Sequence, residues 1–242
     1  MTSAEFLPRL VLVCASRCEP QWFDQATLLG RSLQQFPENL RPEAYLLLNN
    51  QGPGLTGLGE FYNQAIDAIE GDALVAFVHD DVYIHDWNLR FTLAQALCFW
   101  DVVGVVGAAR VPHGQPSWSY ELGADGEVSL STGVLRSGSI NHFDPAHVRP
   151  SYYGEYPMQC DLLDGVFMAA DLKRLRQKKV RFDSFFRFHC YDADFCYTAR
   201  AQGLTLGTWP LLLTHASPGS WSQPWLVAAR QLQVKLCNGN EA

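Results

Sequence analysis

The segment 73–85 constrains the fold more than any other part of the chain, because an apolar run leads directly into a polar cluster. Its first six residues are apolar or small, and His79, Asp80 and Asp81 follow them. A continuous apolar run of this length is typical of a strand covered on both faces, as in parallel sheets. In open α/β sheets, ligands bind at the carboxyl ends of such strands. The segment therefore predicts a buried strand whose end holds a metal ion.

Composition limits the class of protein. The 242 residues fit one large α/β domain, and 48% hydrophobic against 18% charged residues is typical of a globular chain. A formal net charge of -7 argues against nonspecific nucleic-acid binding, which needs an extended basic surface. The seven cysteines form an odd set without a C-x-x-C pair, so we expect reduced thiols and a cytoplasmic protein.

No segment approaches the roughly 20 apolar residues that a membrane-spanning helix needs, so we expect no transmembrane segment. The basic run at residues 173–179 is interpreted as the solvated face of a short helix, although such a run also allows contact with phosphate or lipid. Peripheral membrane contact therefore stays open.

Strands and helices alternate through the first half of the chain, which favours a parallel α/β sheet. The predicted strands are 10–15, 45–48, 73–78, 102–109, 162–170 and 204–213, and the predicted helices are 27–36, 58–69, 87–100, 192–203 and 225–236. Residues 112–157 interrupt this alternation and are rich in Gly, Pro and Tyr. The interruption is too long for an ordinary loop, so it predicts a lid or an added hairpin.

Several polar residues suit divalent-metal chemistry. Mg²⁺ prefers carboxylate oxygens, and Mn²⁺ also accepts imidazole. Asp81 and His215 are the first candidates, with His79 and Asp80 adjacent. A turn or cap is the alternative interpretation of the triplet 79–81, and a structural role is the alternative for His215.

Other carboxylates are candidates for acid–base chemistry. Asp192 is a candidate general base, and a helix N-cap is the alternative, with Asp194 as a second candidate for that cap. Asp164 precedes Gly165, where the missing side chain lets a carboxylate approach a substrate. An ordinary turn explains this pair equally well.

Four short motifs, in this order, resemble the GT-A type nucleotide-sugar glycosyltransferases, in particular the inverting family 2. They are His79-Asp80-Asp81-Val82, the segments 162–169 and 191–200, and Thr214-His215. The resemblance implies a single GT-A domain over residues 1–242, with an α/β, Rossmann-like, open and mostly parallel sheet flanked by helices. It also implies a nucleotide-binding half at about 1–110 and an acceptor-side half, with a long insertion, at about 111–242.

The resemblance further implies the metal and donor sites. The triplet 79–81 stands in place of the family's DxD motif, so Mn²⁺ or Mg²⁺ would be bound by Asp81, His215 and His79. The donor nucleotide would contact residues near the strand ends and on the helix before the metal strand. These donor-site residues are Ser16, Asn49, Asn63 and Asp80, the last one near the ribose.

On the acceptor side, the resemblance implies Asp192 as the catalytic base, at the second position of the family's Glu-Asp dyad. Asp164, Gly165 and Trp221 would line the acceptor site, and aromatic residues of the 112–157 insertion would stack on sugar faces.

Two residues depart from the family pattern. His79 replaces the first Asp of DxD, and Tyr191 replaces the Glu of the dyad. The departures are consistent with an altered metal preference or with lost activity.

The expected activity is inverting transfer of a hexose-type sugar from a UDP-, dTDP- or GDP-sugar to a glycan, lipid-linked or protein acceptor, as in polysaccharide biosynthesis. One alternative is a sugar-nucleotide or glycan-binding domain without turnover, which the two departures favour. A nucleotidyltransferase is the other, although residues 16–19 form no Gly-rich phosphate-binding loop. Donor sugar, base and acceptor depend on pocket shape, which sequence patterns leave open.

Overall fold

The structure is a computed structural model that describes residues 8–144, 147–216 and 222–238. A short 3-10 helix, Pro20–Trp22, precedes the first α-helix. In chain order the other elements are β1 (Leu10–Ala15), α1 (Phe23–Ala26), α2 (Leu28–Gln35), β2 (Glu43–Leu47), α3 (Leu58–Ala68), β3 (Leu74–Val78), β4 (Val82–Ile84), α4 (Leu89–Ala96), β5 (Val102–Gly104), β6 (Val106–Ala109), β7 (Tyr120–Leu122), β8 (Val128–Leu130), β9 (Leu135–Asp144), β10 (His147–Gly154), β11 (Met158–Cys160), β12 (Leu162–Leu163), β13 (Phe167–Asp171), α5 (Leu172–Gln177), α6 (Tyr191–Ala201), β14 (Leu206–Thr208), β15 (Leu213–His215) and α7 (Gln223–Asn238).

The larger sheet in the described part of the chain has the strand order β11-β14-β5-β13-β3-β1-β2. Strand β1 pairs in parallel with both β2 and β3, as expected for the first three strands. Strand β13 lies antiparallel between β3 and β5, so the sheet is mixed. The α/β prediction with helices around a multi-stranded sheet is confirmed, while the parallel pairs among the described strands of this larger sheet are β1–β2, β1–β3 and β5–β14.

A second sheet has the order β12-β6-β9-β15-β4, with β10 on the outer side of β9. The prediction of single strands at 102–109, 162–170 and 204–213 was wrong, because each run is broken and its pieces join different sheets. Within each run both strands are largely buried, so the hydrophobic pattern gives no sign of where the run breaks. Strands β6 and β12, from two different runs, approach closely, because a Cβ at Gly107 would lie 2.5 Å from the Leu162 carbonyl oxygen.

The predicted insertion contains a long β-hairpin. Strands β9 and β10 pair antiparallel, and β9 also pairs in parallel with β15. That second register places His142 beside His215. The hairpin therefore lies beside β15, the strand that carries the candidate metal ligand His215, in agreement with the prediction of an added hairpin.

Aromatic packing fixes α3 and α6 against β3, whose residues are all buried. The Phe77 ring of β3 lies 4.8 Å from the Tyr62 ring, and Phe182 stacks on Phe195 with ring centroids 4.2 Å apart. Such buried aromatic pairs stabilise a core beyond their area burial. The packing holds the end of β3 and the first turn of α6 in one rigid arrangement. Among the described helices, none has both the length and the apolar character needed to cross a bilayer.

Candidate metal and nucleotide site

Three chain segments meet at the carboxyl end of β3. His79 follows this strand directly, and Asp80 and Asp81 form the turn into β4. Strand β4 pairs antiparallel with β15, and this register sets His215 opposite Val82. The backbone N–H of Ala216 also donates to the Asp81 carbonyl oxygen at 3.0 Å. The strand pairing therefore brings His215 to a turn that is more than 130 residues earlier in the chain.

His79, Asp81 and His215 form a half-buried cluster whose candidate ligand atoms all lie within 4.8 Å of one another. Asp81 Oδ1 is 3.3 Å from His215 Nε2 and 3.9 Å from His79 Nδ1. This oxygen is buried and has no hydrogen-bond partner of adequate geometry among the described residues. A buried carboxylate oxygen normally has a partner, and two imidazoles with one carboxylate are a typical donor set for a divalent transition metal. The residues therefore fit a metal ion.

Asp81 and His79 are shifted toward the forms that metal binding needs, a deprotonated carboxylate and a free imidazole nitrogen, whereas a metal ion would have to displace a proton from His215. Burial acts to raise the pKa of Asp81, but the close approach and charge of His215, with a smaller contribution from His79, outweigh it and lower this pKa. Burial lowers the pKa of His79, which keeps this imidazole neutral near pH 7. The pKa of His215 is raised because its interaction with Asp81 outweighs burial.

A cavity of about 320 Å³ adjoins the cluster, at the ends of β1 and β3. It is lined by Ala15, Ser16, Arg17, Asn50, Leu58, His79, Asp80, Asp81 and Phe188. The Ser16 hydroxyl donates to Asp80 Oδ2 at 2.5 Å and accepts from the Cys18 N–H at 3.0 Å. Four residues predicted for the donor and metal sites, Ser16, His79, Asp80 and Asp81, thus lie together in one small-molecule-sized cavity.

Two predicted donor-site residues are placed differently. Asn49 is exposed in a left-handed conformation with φ of 56°, and its side-chain oxygen accepts from Gln51 instead of lining the cavity. Asn63 uses both atoms of its amide on the backbone of Phe182, at 2.7 and 3.0 Å. The contacts of Asn63 are therefore structural, because they fasten the segment before α6 onto α3.

Sequence reasoning missed Arg17, Asn50 and Phe188 in the cavity wall. Arg17 was detectable, since it follows β1 at the same sheet edge as the predicted residues. Asn50 is adjacent to Asn49, and only the turn conformation decides which of the two faces the cavity. Phe188 enters from the segment before α6, for which periodicity offers no signal.

Asp192 lies in the first turn of α6 but does not cap it. The N-cap position is Cys190, in a left-handed conformation and without a side-chain cap. Asp192 Oδ2 instead accepts from the Gly165 N–H at 2.9 Å. Burial, and next the charge of Asp164, raise the pKa of Asp192 to about 6. A carboxylate with a pKa near neutrality is matched to general-base chemistry.

Asp194, the second candidate for the cap, is buried and pairs with Lys235 of α7 at 2.6 Å. Lys235 also contacts Asp183 at 2.8 Å. These charge-assisted bonds fasten α7 to α6 and to the segment before it. The cap interpretation is therefore wrong for Asp194 as well, because its carboxylate faces another helix.

Gly165 connects the candidate base with the metal cluster. Its N–H donates to Asp192, and its carbonyl oxygen accepts from the Tyr191 hydroxyl at 3.1 Å. The same hydroxyl lies 2.7 Å from His79 Nε2. The neighbouring Asp164 accepts from the Trp118 indole N–H at 2.7 Å, so the insertion also reaches this junction. Trp221, predicted for the acceptor site, lies outside the described residues.

Replacing Gly165 by alanine is expected to lower stability by about 1–3 kcal/mol through overpacking. An added Cβ would lie 2.4 Å from the Tyr191 hydroxyl and 2.9 Å from the Asp192 Cβ. Gly133→Ala is the matched control, because a Cβ there meets no described atom within 4 Å. In thermal melts Gly165→Ala should lose about 2–4 °C per kcal/mol. Equal melting temperatures for the two variants would contradict the close approach at Gly165.

Comparison with known proteins gives a fold and no family. No protein-family model matches the sequence, and no curated protein does. The structure of GalNAc-T7 with UDP, GalNAc and Mn²⁺ is similar to this chain, with a TM-score of 0.57 and 10% identity. That similarity covers 94% of this chain and 48% of GalNAc-T7, so the chain spans about half of that protein's length. S. aureus TarS matches with a TM-score of 0.44 and 13% identity over 95% of this chain and 71% of that one. The similarity to GalNAc-T7, together with the sheet and helix arrangement, shows that the protein has a GT-A type fold.

Proposed function

We propose that the protein is a metal-dependent, inverting glycosyltransferase that moves a sugar from a nucleoside-diphosphate sugar to an acceptor hydroxyl. One observation carries the proposal: Asp192, whose pKa is raised to about 6, is joined to the His79, Asp81 and His215 cluster through Gly165. The similarity to a fold that in GalNAc-T7 holds UDP, GalNAc and Mn²⁺ supports it.

The cavity beside the cluster is the proposed donor site. Ser16 and Asp80 form a hydrogen-bonded pair in its wall that suits hydroxyl groups of a nucleoside, and Arg17 supplies a cation. A divalent ion bound by His79, Asp81 and His215 would supply positive charge that stabilises the diphosphate as it leaves. Mn²⁺ and Mg²⁺ are the proposed ions, and UDP-, dTDP- and GDP-sugars are the proposed donors.

Asp192 is the proposed base. Its carboxylate would take the proton of the acceptor hydroxyl while that oxygen attacks the anomeric carbon and the bond from this carbon to the diphosphate oxygen breaks. A single displacement inverts the configuration at the carbon. The Gly165 N–H holds one carboxylate oxygen and fixes the orientation of the base.

The acceptor is proposed to bind against the aromatic side of the insertion. Trp118 is buried, packs edge-on against the half-buried Tyr153 with ring centroids 5.0 Å apart, and its indole N–H is bonded to Asp164. The accessible part of Tyr153 therefore supplies the aromatic surface for a sugar, which presents apolar C–H faces and hydroxyl groups. We propose a hexose-type donor and a glycan, lipid-linked or protein acceptor, as in cytoplasmic polysaccharide biosynthesis.

Calorimetric titration of UDP, GDP and dTDP, with Mn²⁺ or with EDTA, tests the proposal. We expect one nucleotide to bind in Mn²⁺ and to bind about 100-fold more weakly in EDTA, since the ion supplies several kcal/mol of charge stabilisation. If no nucleotide binds under either condition, the proposed donor site is wrong, and a glycan-binding domain without turnover becomes the better explanation. Binding of nucleoside triphosphates alone would favour a nucleotidyltransferase.

A further inference from the structure

The two residues that depart from the family pattern contact each other. His79 at the end of β3 and Tyr191 in the first turn of α6 are 112 positions apart, yet the His79 Nε2 atom lies 2.7 Å from the Tyr191 hydroxyl oxygen. The backbone of His79 is fixed by its N–H, which donates to the Val166 carbonyl oxygen at 3.2 Å, and the side chain of Tyr191 is buried. The contact is thus built into the fold.

The direction of this hydrogen bond follows from the second partner of Tyr191. The hydroxyl lies 3.1 Å from the Gly165 carbonyl oxygen, which can only accept. A hydroxyl carries one proton, and both contacts are satisfied when that proton is given to Gly165 and the tyrosine oxygen accepts from His79, so we assign the bonds in this direction. The proton of the neutral imidazole therefore resides on Nε2, and Nδ1 carries a lone pair.

The lone pair of His79 Nδ1 is directed at the metal cluster. Its nearest charged neighbour there is Asp81 Oδ1 at 3.9 Å, which is too far for a hydrogen bond. With this assignment no proton lies between His79 Nδ1 and the buried oxygen of Asp81. The other imidazole neighbour of that oxygen, His215 Nε2 at 3.3 Å, makes no hydrogen bond of adequate geometry with it. A cation is the chemical group that both atoms can bind at once.

We propose that Tyr191 is a positioning residue for the metal centre, holding His79 in the Nε2–H tautomer so that Nδ1 serves as a metal ligand. The inference rests on the metal dependence in the proposed function and deepens it. The resulting centre has two imidazoles and one carboxylate, a donor set that favours Mn²⁺ over Mg²⁺. His79 and Tyr191, which stand where the resembled family has acidic residues, therefore act as a pair.

The hydroxyl can be removed with little disturbance of the core. The Tyr191 ring packs against Tyr62 and Phe182, with centroids 5.8 and 6.2 Å away, and phenylalanine keeps these contacts. Tyr197→Phe is a matched control on the same helix, because it deletes a hydroxyl that donates to the Gln115 carbonyl oxygen at 3.1 Å, away from His79. Both substitutions remove a hydrogen bond to a backbone carbonyl oxygen, but only Tyr191→Phe also removes the contact with His79.

Mn²⁺ titration of the full chain, followed by the electron paramagnetic resonance signal of free Mn²⁺, measures the effect without any turnover. Tyr191→Phe is expected to bind Mn²⁺ about 10- to 100-fold more weakly, the usual cost of losing an outer partner of a metal-bound histidine. Tyr197→Phe should match the wild type. In a His79→Asp background, which removes the imidazole, Tyr191→Phe should have little further effect, and the Mn²⁺ preference over Mg²⁺ should decrease.

Nitrogen-15 NMR of the histidine side chains in metal-free protein tests the tautomer itself. We expect His79 as the Nε2–H tautomer in the wild type and a mixture of tautomers in Tyr191→Phe. An Nδ1–H tautomer in the wild type, or unchanged Mn²⁺ affinity in Tyr191→Phe, would overturn the inference and leave the proposed function standing. A wild type that binds no Mn²⁺, with or without nucleotide, would overturn both.

Discussion

Asp192→Asn is expected to reduce sugar transfer by about 10²- to 10⁴-fold, the range typical of losing a general base. Asparagine keeps the shape of the side chain and its hydrogen bond from the Gly165 N–H, but it cannot take a proton from the acceptor. Nucleotide affinity should stay near the wild-type value, because Asp192 is absent from the wall of the donor cavity. Turnover of the nucleotide sugar and calorimetric binding, measured on the same preparations, separate the two effects.

Thermal stability is the control for this variant, because the substitution should leave stability unchanged or increase it while it reduces activity. The pKa of Asp192 is raised to about 6 in the fold, so the folded state binds more protons than the unfolded state between about pH 4 and pH 6. Stability therefore decreases as the pH rises through this window, and the deficit persists at pH 7. Asparagine carries no such deficit, so the variant should melt at the wild-type temperature or higher. A variant that melts normally and still transfers sugar at the wild-type rate would exclude Asp192 as the base.

The pH profile of kcat/KM gives an independent reading of the same group. The base works when deprotonated, so activity should rise through about pH 6 and then level off. Asp164 contributes to the raised pKa of Asp192 through its charge. Asp164→Asn should therefore move the rising limb to lower pH, even if it also lowers the plateau by disturbing the bond to Trp118.

The sequence predicted the parts of the site that depend on one strand end. The apolar run before His79 marks a buried strand, and the rule that ligands bind at carboxyl ends of strands then places Asp80, Asp81 and Ser16 at one edge. His215 was identified through the resemblance of Thr214-His215 to a family motif, but its short distance from Asp81 depends on the pairing of β4 with β15. Local patterns predict where buried strands and helices lie, but they miss breaks within a buried run, and they predict partners across the chain only by resemblance.

The errors arise where a side chain's direction depends on contacts remote in sequence. Asn63 has the position of a donor-site residue on its helix, yet Phe182, 119 positions later, uses both of its amide atoms. Asp194 was a candidate helix cap, yet the helix begins three residues earlier, at Tyr191, and Lys235 of the last described helix pairs with its carboxylate. Neither partner leaves a mark in the local pattern, because hydrogen-bond geometry between distant segments is fixed only when the core packs.

The contact between His79 and Tyr191 changes how the two departures from the family pattern are interpreted. Taken one at a time, each removes an acidic group and is consistent with lost activity. In the structure they are hydrogen-bonded at 2.7 Å, and Gly165 links them to Asp192. Under the proposed function, the contact supports a site in which both positions changed together, with a different metal preference rather than lost activity.

Asp81→Asn is expected to remove metal-dependent nucleotide binding, with affinity in Mn²⁺ falling about 100-fold to the level that the wild type has in EDTA. The amide keeps the volume of the carboxylate and removes its charge, which is the acidic component of the His79, Asp81 and His215 cluster. The same substitution should lower the pKa of His215, because Asp81 is what raises it. Calorimetry with the nucleotide that the wild type prefers measures the first effect, and NMR titration of His215 measures the second.

Asp72→Asn is the matched control for this variant. Asp72 precedes the opposite end of β3, and its carboxylate is exposed and 3.4 Å from Lys173. An exposed ion pair of this kind contributes about 0–1 kcal/mol, so the control should fold and bind nucleotide as the wild type does. If Asp81→Asn kept metal-dependent binding while the pKa of His215 decreased, the cluster would be a hydrogen-bonded structural feature and the ion would have to bind elsewhere. If binding and the raised pKa of His215 were lost together, in this variant and not in the control, one carboxylate would account for both the electrostatics and the chemistry of the site.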